Sequence, residues 1–172
     1  MPMVAKLGRE MDIDRIVLEK ACAMTQCATG NSLIAVNLST KSLLNNEFRQ
    51  WAVNKIISMG SAGKRIALEI PEGFIANNIS QCSGIIHQYQ AHGIKIGIDQ
   101  FGTRLGNIQY ICDLKPDYIK IDGSFSHAII EDAVTKDYVQ KLSELAHDLN
   151  IKLIAMSVEE DTQKTGILNI VN

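Results

Sequence analysis

Residues able to bind cations or move protons recur at one place in this sequence, the ends of short apolar runs. Asn37 closes the run in VNLS, Glu69 and Glu72 stand in LEIPE, Asp99 and Gln100 in GIDQ, Lys120 and Asp122 in IKID, and Glu159 in MSVEE. Lys120, flanked by Ile119 and Ile121, must face a polar mouth or leave a charge unpaired in the core. An inward lysine requires an acid partner, and either Asp99 or Glu69 serves. Polar groups from several strand ends converging on one mouth are how a (β/α) barrel builds a site. The competing reading is local: acids at such ends cap the following helix or bond loop amides, and the lysine makes a structural salt bridge. Glu72 and Glu160 read as solvated. His87, His92, His127 and His147 lack metal-ligand spacing and read as surface residues, while Trp51 and the helix methionines read as core.

The elements that must position these groups follow from periodicity. SLIAVNLS, RIALEIPE, IKIGIDQF, DYIKIDGS and IKLIAMSVEE are short apolar runs roughly 25 to 35 residues apart, with segments of helical period between them. Leu43, Leu44, Phe48, Trp51, Ala52 and Ile56 recur at three and four, predicting one amphipathic helix entered through Ser39 or Thr40 as N-cap. Val134, Tyr138, Val139, Leu142, Leu145, Ala146 and Leu149 predict a second over 132–149. Apolar strands separated by helices imply parallel strands covered on their faces, an α/β fold. No glycine-rich turn follows the first run, which disfavours the doubly wound nucleotide folds and favours a barrel. An eight-unit barrel takes about 250 residues, so the single domain expected over 1–172 reads as an incomplete one.

Composition excludes several functions. The chain has 172 residues, 46% hydrophobic, and a formal net charge of -2 with its charges scattered. There is no basic stripe to neutralise phosphates, so no direct DNA binding is expected. Cys22, Cys27, Cys82 and Cys112 match neither a metal knuckle nor a compact disulfide framework, and read as reduced thiols of a cytoplasmic domain. No apolar run reaches the roughly 18 residues of a membrane span, and MPMVAKLGRE has no signal-peptide core.

In order and spacing, VNLS, LEIPE, IDQFGT, LKPDYIKID and IAMSVEE resemble the motifs of the EAL domain family, over Met1 to about Gln163. The family pattern reads NLS, LEITE, DDFGTGYSSL, LKID after a Pro-x-Asp, and AEGVET. MPMVAKLG is similar to the segment after the E-A-L motif, which places that motif's strand upstream of residue 1 and the late Q-G-Y strand beyond Asn172. The resemblance implies a TIM-barrel-like fold and hydrolysis of cyclic di-GMP to a linear dinucleotide, assisted by two Mg2+ or Mn2+ ions. Such a site needs several carboxylates around its cations. Carried across, Asn37, Glu69 and Asp99 take the positions of ligands of one ion, Lys120 the position that orients the attacking water, and Glu159 that of a further acid of the pocket. Gln100, Arg104 and Asp122 fall at substrate and loop positions.

The departures fall on the same rim. Gln100 stands for the second Asp of DDFG and Met156 for the Glu of AEGVE, and the E-A-L glutamate is not in this chain. Glutamine offers a neutral oxygen, and a thioether is a soft ligand that hard cations do not accept. Pro71 replaces the Thr of LEITE, Ser42 the Gln of N-L-S-x-x-Q, and Arg104, Leu105, Gly106 and Asn107 the loop G-Y-S-S. Arg104 is expected to supply positive charge for a phosphate where an ion is lost. These substitutions imply a degenerate domain in which Lys120 and the ion ligands are vestigial and the ion is dispensable. The domain would act as a cyclic di-GMP receptor or a protein-interaction module, with an active phosphodiesterase as the alternative. The family setting implies a GGDEF domain in the same parent, a membrane-anchored parent with this domain on the cytoplasmic side, and a homodimer covering exposed strand edges.

Overall fold

The computed structural model describes residues 8–27, 30, 32–102, 108–124 and 132–157. Helix α1 spans Glu10–Cys27 and is followed by strand β1 (Ile34–Asn37), helices α2 (Thr40–Leu44) and α3 (Asn46–Ile57), and a 3-10 turn at Gly63–Arg65. The chain continues through β2 (Ile66–Pro71), α4 (Glu72–Asn77), α5 (Ile79–Gln90), β3 (Lys95–Phe101), α6 (Tyr110–Leu114), β4 (Tyr118–Ile121), α7 (Ala133–Asp148) and β5 (Lys152–Ala155). All five apolar runs are strands, and their order in the sheet is the chain order. β1 pairs parallel to β2, β3 to β4, and β4 to β5, so the α/β expectation holds.

The described residues fall into two compact units, one within 1–70 and 80–96, the other within 71–79 and 97–172. In the first, α1 lies against β1, α2 and α3, and Leu18, Leu43, Phe48, Ile56, Ile66 and Leu68 are buried. In the second, α7 packs on β5, and Ile98, Phe101, Ile119, Ile121, Val139 and Leu142 are buried. Gly97 stands in register with Tyr118 across β3 and β4. A Cβ at Gly97 would lie 2.3 Å from Tyr118 Cζ, so the phenol ring occupies the space a side chain would need.

The structure departs from the sequence pattern at four places. The single helix predicted across Leu43 to Ile56 is two, α2 and α3, divided at Asn45. The Asn45 side chain accepts the Phe48 N–H at 2.7 Å and its own N–H closes α2 on Lys41, the local bonding by which asparagine competes with helix continuation. Helix α1 has no counterpart in the apolar pattern because its period is blurred, polar residues joining Leu18 and Ala21 on the buried side. Its buried stripe includes Asp14, Cys22 and Thr25, while Ile16, Val17 and Met24 face outward; Met24, at 60% exposure, is a helix methionine that is not core. The phase of α7 is set by Val139, Leu142 and Ala146, which leaves Val134 outside at 65% exposure. Trp51 is half-buried rather than core, held between Phe48, at 5.4 Å between ring centroids, and the Arg15 guanidinium, 4.2 Å from its ring centre.

Candidate functional site

In the first unit the end of β1 is fixed from several directions. The parallel register sets Asn37 opposite Glu69, and register partners in neighbouring strands present their side chains to the same face. Asn37 is exposed and Glu69 is buried. The Leu38 N–H donates to the Glu69 carbonyl at 3.0 Å, extending the ladder one residue past the strand. Ser39 then N-caps α2, its hydroxyl accepting the Ser42 N–H at 3.3 Å.

In the second unit the informative feature is a register shift. Ile98 pairs with Ile119 and Phe101 with Ile121, so Asp99 and Gln100 together oppose the single residue Lys120. This is the two-against-one count of a β-bulge, a device that re-aims side chains beside functional sites. Gln100 takes the left-handed conformation, φ 56°, and is exposed. The Lys120 ammonium lies 3.2 Å from Asp99 Oδ1, with side-chain exposures of 18% and 12%. Of the two acid partners open to Lys120, Asp99 is therefore joined to it by an ion pair.

Two acids past the strand ends work locally. Asp122 accepts the Ser124 N–H at 3.0 Å and the Ser124 hydroxyl at 2.7 Å, and these bonds, the backbone one first, hold its carboxyl below the usual range. Glu72, expected in solvent, is buried at 6% exposure. Its carboxylate accepts the Gly102 N–H at 2.8 Å and the Tyr110 hydroxyl at 3.1 Å. Glu72 thus fastens the residue after β3 to the start of α6. Burial and then the charge of Glu72 push the Tyr110 phenol well above its ordinary range, so it stays a neutral donor. Neither Glu72 nor Tyr110 was legible as a pair. The one signal was an acid placed directly after Pro71, where a helix begins.

At the end of β5 the Met156 N–H donates to the Ile121 carbonyl at 3.1 Å, and Ser157 follows with φ 53°. Arg104, Glu159, His127 and Glu160 lie outside the described residues. Among the described residues, no group of three His, Cys, Asp or Glu side chains is arranged to hold a metal ion. The hard donors of the expected set are the Asn37 amide and the carboxylates of Glu69 and Asp99, and Asp99 already neutralises Lys120. The uncharged amide of Gln100 and the thioether of Met156 are poor donors for hard divalent cations. The four cysteines are free thiols. No helix among the described residues is long and apolar enough to cross a membrane.

Parallel strands alternating with helices, with polar groups at the strand ends, make up the architecture of (β/α)-barrel sites. The chain belongs to the EAL domain family, which it matches over residues 1–167. It is 28% identical over 156 residues to cyclic di-GMP phosphodiesterase PdeA of Borreliella burgdorferi, a match covering 89% of this chain and 23% of that protein. The Vibrio cholerae LapD S helix-GGDEF-EAL structure bound to c-di-GMP aligns with a TM-score of 0.87 at 25% identity, covering 96% of this chain and 41% of that one. The Klebsiella pneumoniae BlrP1 manganese/cy-diGMP complex shares the fold, with a TM-score of 0.76 at 24% identity over 94% of this chain and 42% of that one. The chain spans between 18% and 25% of the length of the curated relatives it matches. Its fold is the TIM-barrel-like α/β fold of EAL domains.

Proposed function

We propose that this chain is a degenerate EAL domain of a cyclic di-GMP signalling protein, a receptor for the nucleotide rather than a phosphodiesterase. The observation that carries the reading is the bulge at Asp99 and Gln100, where glutamine stands at the position of the family's second acid and the first acid is paired with Lys120. A two-ion hydrolytic centre depends on several carboxylates to hold its cations and neutralise developing charge. By their positions in the family's motifs, Asn37, Glu69 and Asp99 correspond to one ligand set, Lys120 to a catalytic lysine, here vestigial, and Glu159 to a further acid. Lys120 and Arg104 supply the positive charge that a phosphodiester needs. Any Mg2+ or Mn2+ at the Asn37, Glu69 and Asp99 remnant is dispensable for nucleotide binding, where the Asn37 amide meets the nucleotide directly. The likeness to LapD bound to c-di-GMP supports the nucleotide as ligand.

The domain follows a GGDEF domain in a membrane-anchored parent, faces the cytoplasm, and pairs as a homodimer. The test is calorimetric titration of cyclic di-GMP into the full-length protein, with and without Mg2+, followed by analysis of the recovered nucleotide. Micromolar binding without linear product is expected in both conditions. Linear product would establish the alternative, an active phosphodiesterase, and no binding would leave a protein-interaction module.

A further inference from the structure

We infer that Asp14 is a positioning residue for the end of β1 that carries Asn37, an inference that rests on the receptor reading above. Asp14 is a carboxylate on the inner stripe of α1, 5% exposed. A charge so placed is costly unless it makes a specific strong bond. That bond is to the backbone: Asp14 Oδ2 accepts the Ser39 N–H at 2.7 Å. Ser39 is two residues beyond Asn37, and the intervening Leu38 N–H is held by the Glu69 carbonyl. Consecutive amides of the β1 exit are therefore pinned to different elements, Leu38 to β2 and Ser39 to α1, and Asn37 has no freedom to swing away from its register with Glu69.

A second tie runs in the same direction. Glu10, one turn before Asp14 and on the same side of the helix, accepts from the Lys41 ammonium at 3.0 Å. Helix α1 so grips both the entry and the first turn of α2. A helix start needs only a cap, and Ser39 already provides one with its own hydroxyl. The extra buried carboxylate is explained by the demand that the residues just before the helix keep one position.

The test compares Asp14→Ala with Asp14→Asn, which retains an oxygen acceptor for the Ser39 N–H, in the full-length protein. Phe48→Leu, a core change in the same unit, controls for loss of stability. Cyclic di-GMP affinity is measured at a temperature where all variants are folded, alongside hydrogen exchange at the Ser39 amide. Asp14→Ala is expected to weaken binding about tenfold and to speed Ser39 exchange, Asp14→Asn to stay within about threefold of wild type, and Phe48→Leu to bind normally. Unchanged affinity in Asp14→Ala, or equal loss in Phe48→Leu, overturns the positioning role. If wild type binds no cyclic di-GMP, the receptor reading fails on its own, and Ser39 exchange decides the Asp14 contact: acceleration in Asp14→Ala sustains it, and unchanged exchange overturns it.

Discussion

Replacing Glu72 gives the sharpest quantitative check on the local structure around β3. The carboxylate is buried and serves at least two donors, the Gly102 N–H at 2.8 Å and the Tyr110 hydroxyl at 3.1 Å. Truncation in Glu72→Ala leaves both donors buried without this acceptor, at about 1–3 kcal/mol each. The expected loss is about 2–6 kcal/mol, reduced to the lower end where water enters the space. For a chain of this size each kcal/mol lowers Tm by about 2–4 °C. Glu72→Gln keeps one acceptor oxygen, and its amide can donate to a phenol that turns round, so its cost is about 1–2 kcal/mol from lost charge assistance. Tyr110→Phe removes one donor and leaves the Gly102 bond, again costing about 1–2 kcal/mol. Because the two residues share a bond, the double variant must fall short of the sum of the singles by about 1 kcal/mol or more. Denaturant unfolding of the four proteins measures the cycle. A Glu72→Ala variant within about 0.5 kcal/mol of wild type, the ordinary range of surface substitutions, would refute the buried assignment.

Three further outcomes follow from the same geometry. Gly97→Ala forces a methyl group into the Tyr118 ring and should cost about 1–3 kcal/mol by overpacking, with part of the loss recovered when Tyr118→Val is added. Lys120→Met leaves the Asp99 carboxylate without its 3.2 Å ammonium partner, a loss of about 1–3 kcal/mol at a partly exposed pair, and adding Asp99→Asn should return most of it. Burial pushes the Cys82 thiol up to about 11, and also raises Cys22, Tyr89 and Tyr110. The folded protein then keeps protons that the unfolded chain releases, so stability is full below about pH 9 and falls as pH rises towards 11. A Tm profile that stays flat to pH 11 would contradict this.

The strands were legible because parallel strands buried on both faces must be nearly continuous apolar runs, and Ile66–Ile70 is such a run. The bulge left a fainter trace, the step from Ile98 to Phe101 where strict alternation would place an apolar residue at 100. Helix α1 was hidden because it buries Asp14 and Thr25 while exposing Ile16 and Met24, so its hydrophobic period is blurred. The division at Asn45 was hidden because Leu43, Phe48 and Ala52 are all buried and keep a helical spacing across the break. In the candidate site the residue types were readable, as was the need of Lys120 for an acid. That Glu72 is a buried acceptor was not, because its donors come from Gly102 and Tyr110, about thirty and forty residues away in sequence, and a local pattern carries no record of them.

The proposed receptor role requires that the chain bind cyclic di-GMP without cleaving it. The most direct measurement is the amount of linear dinucleotide formed from cyclic di-GMP by the full-length protein in the presence of Mg2+ or Mn2+, at concentrations where titration shows the nucleotide bound. No product above the protein-free control is the predicted result. Steady accumulation of linear product over successive turnovers would contradict it.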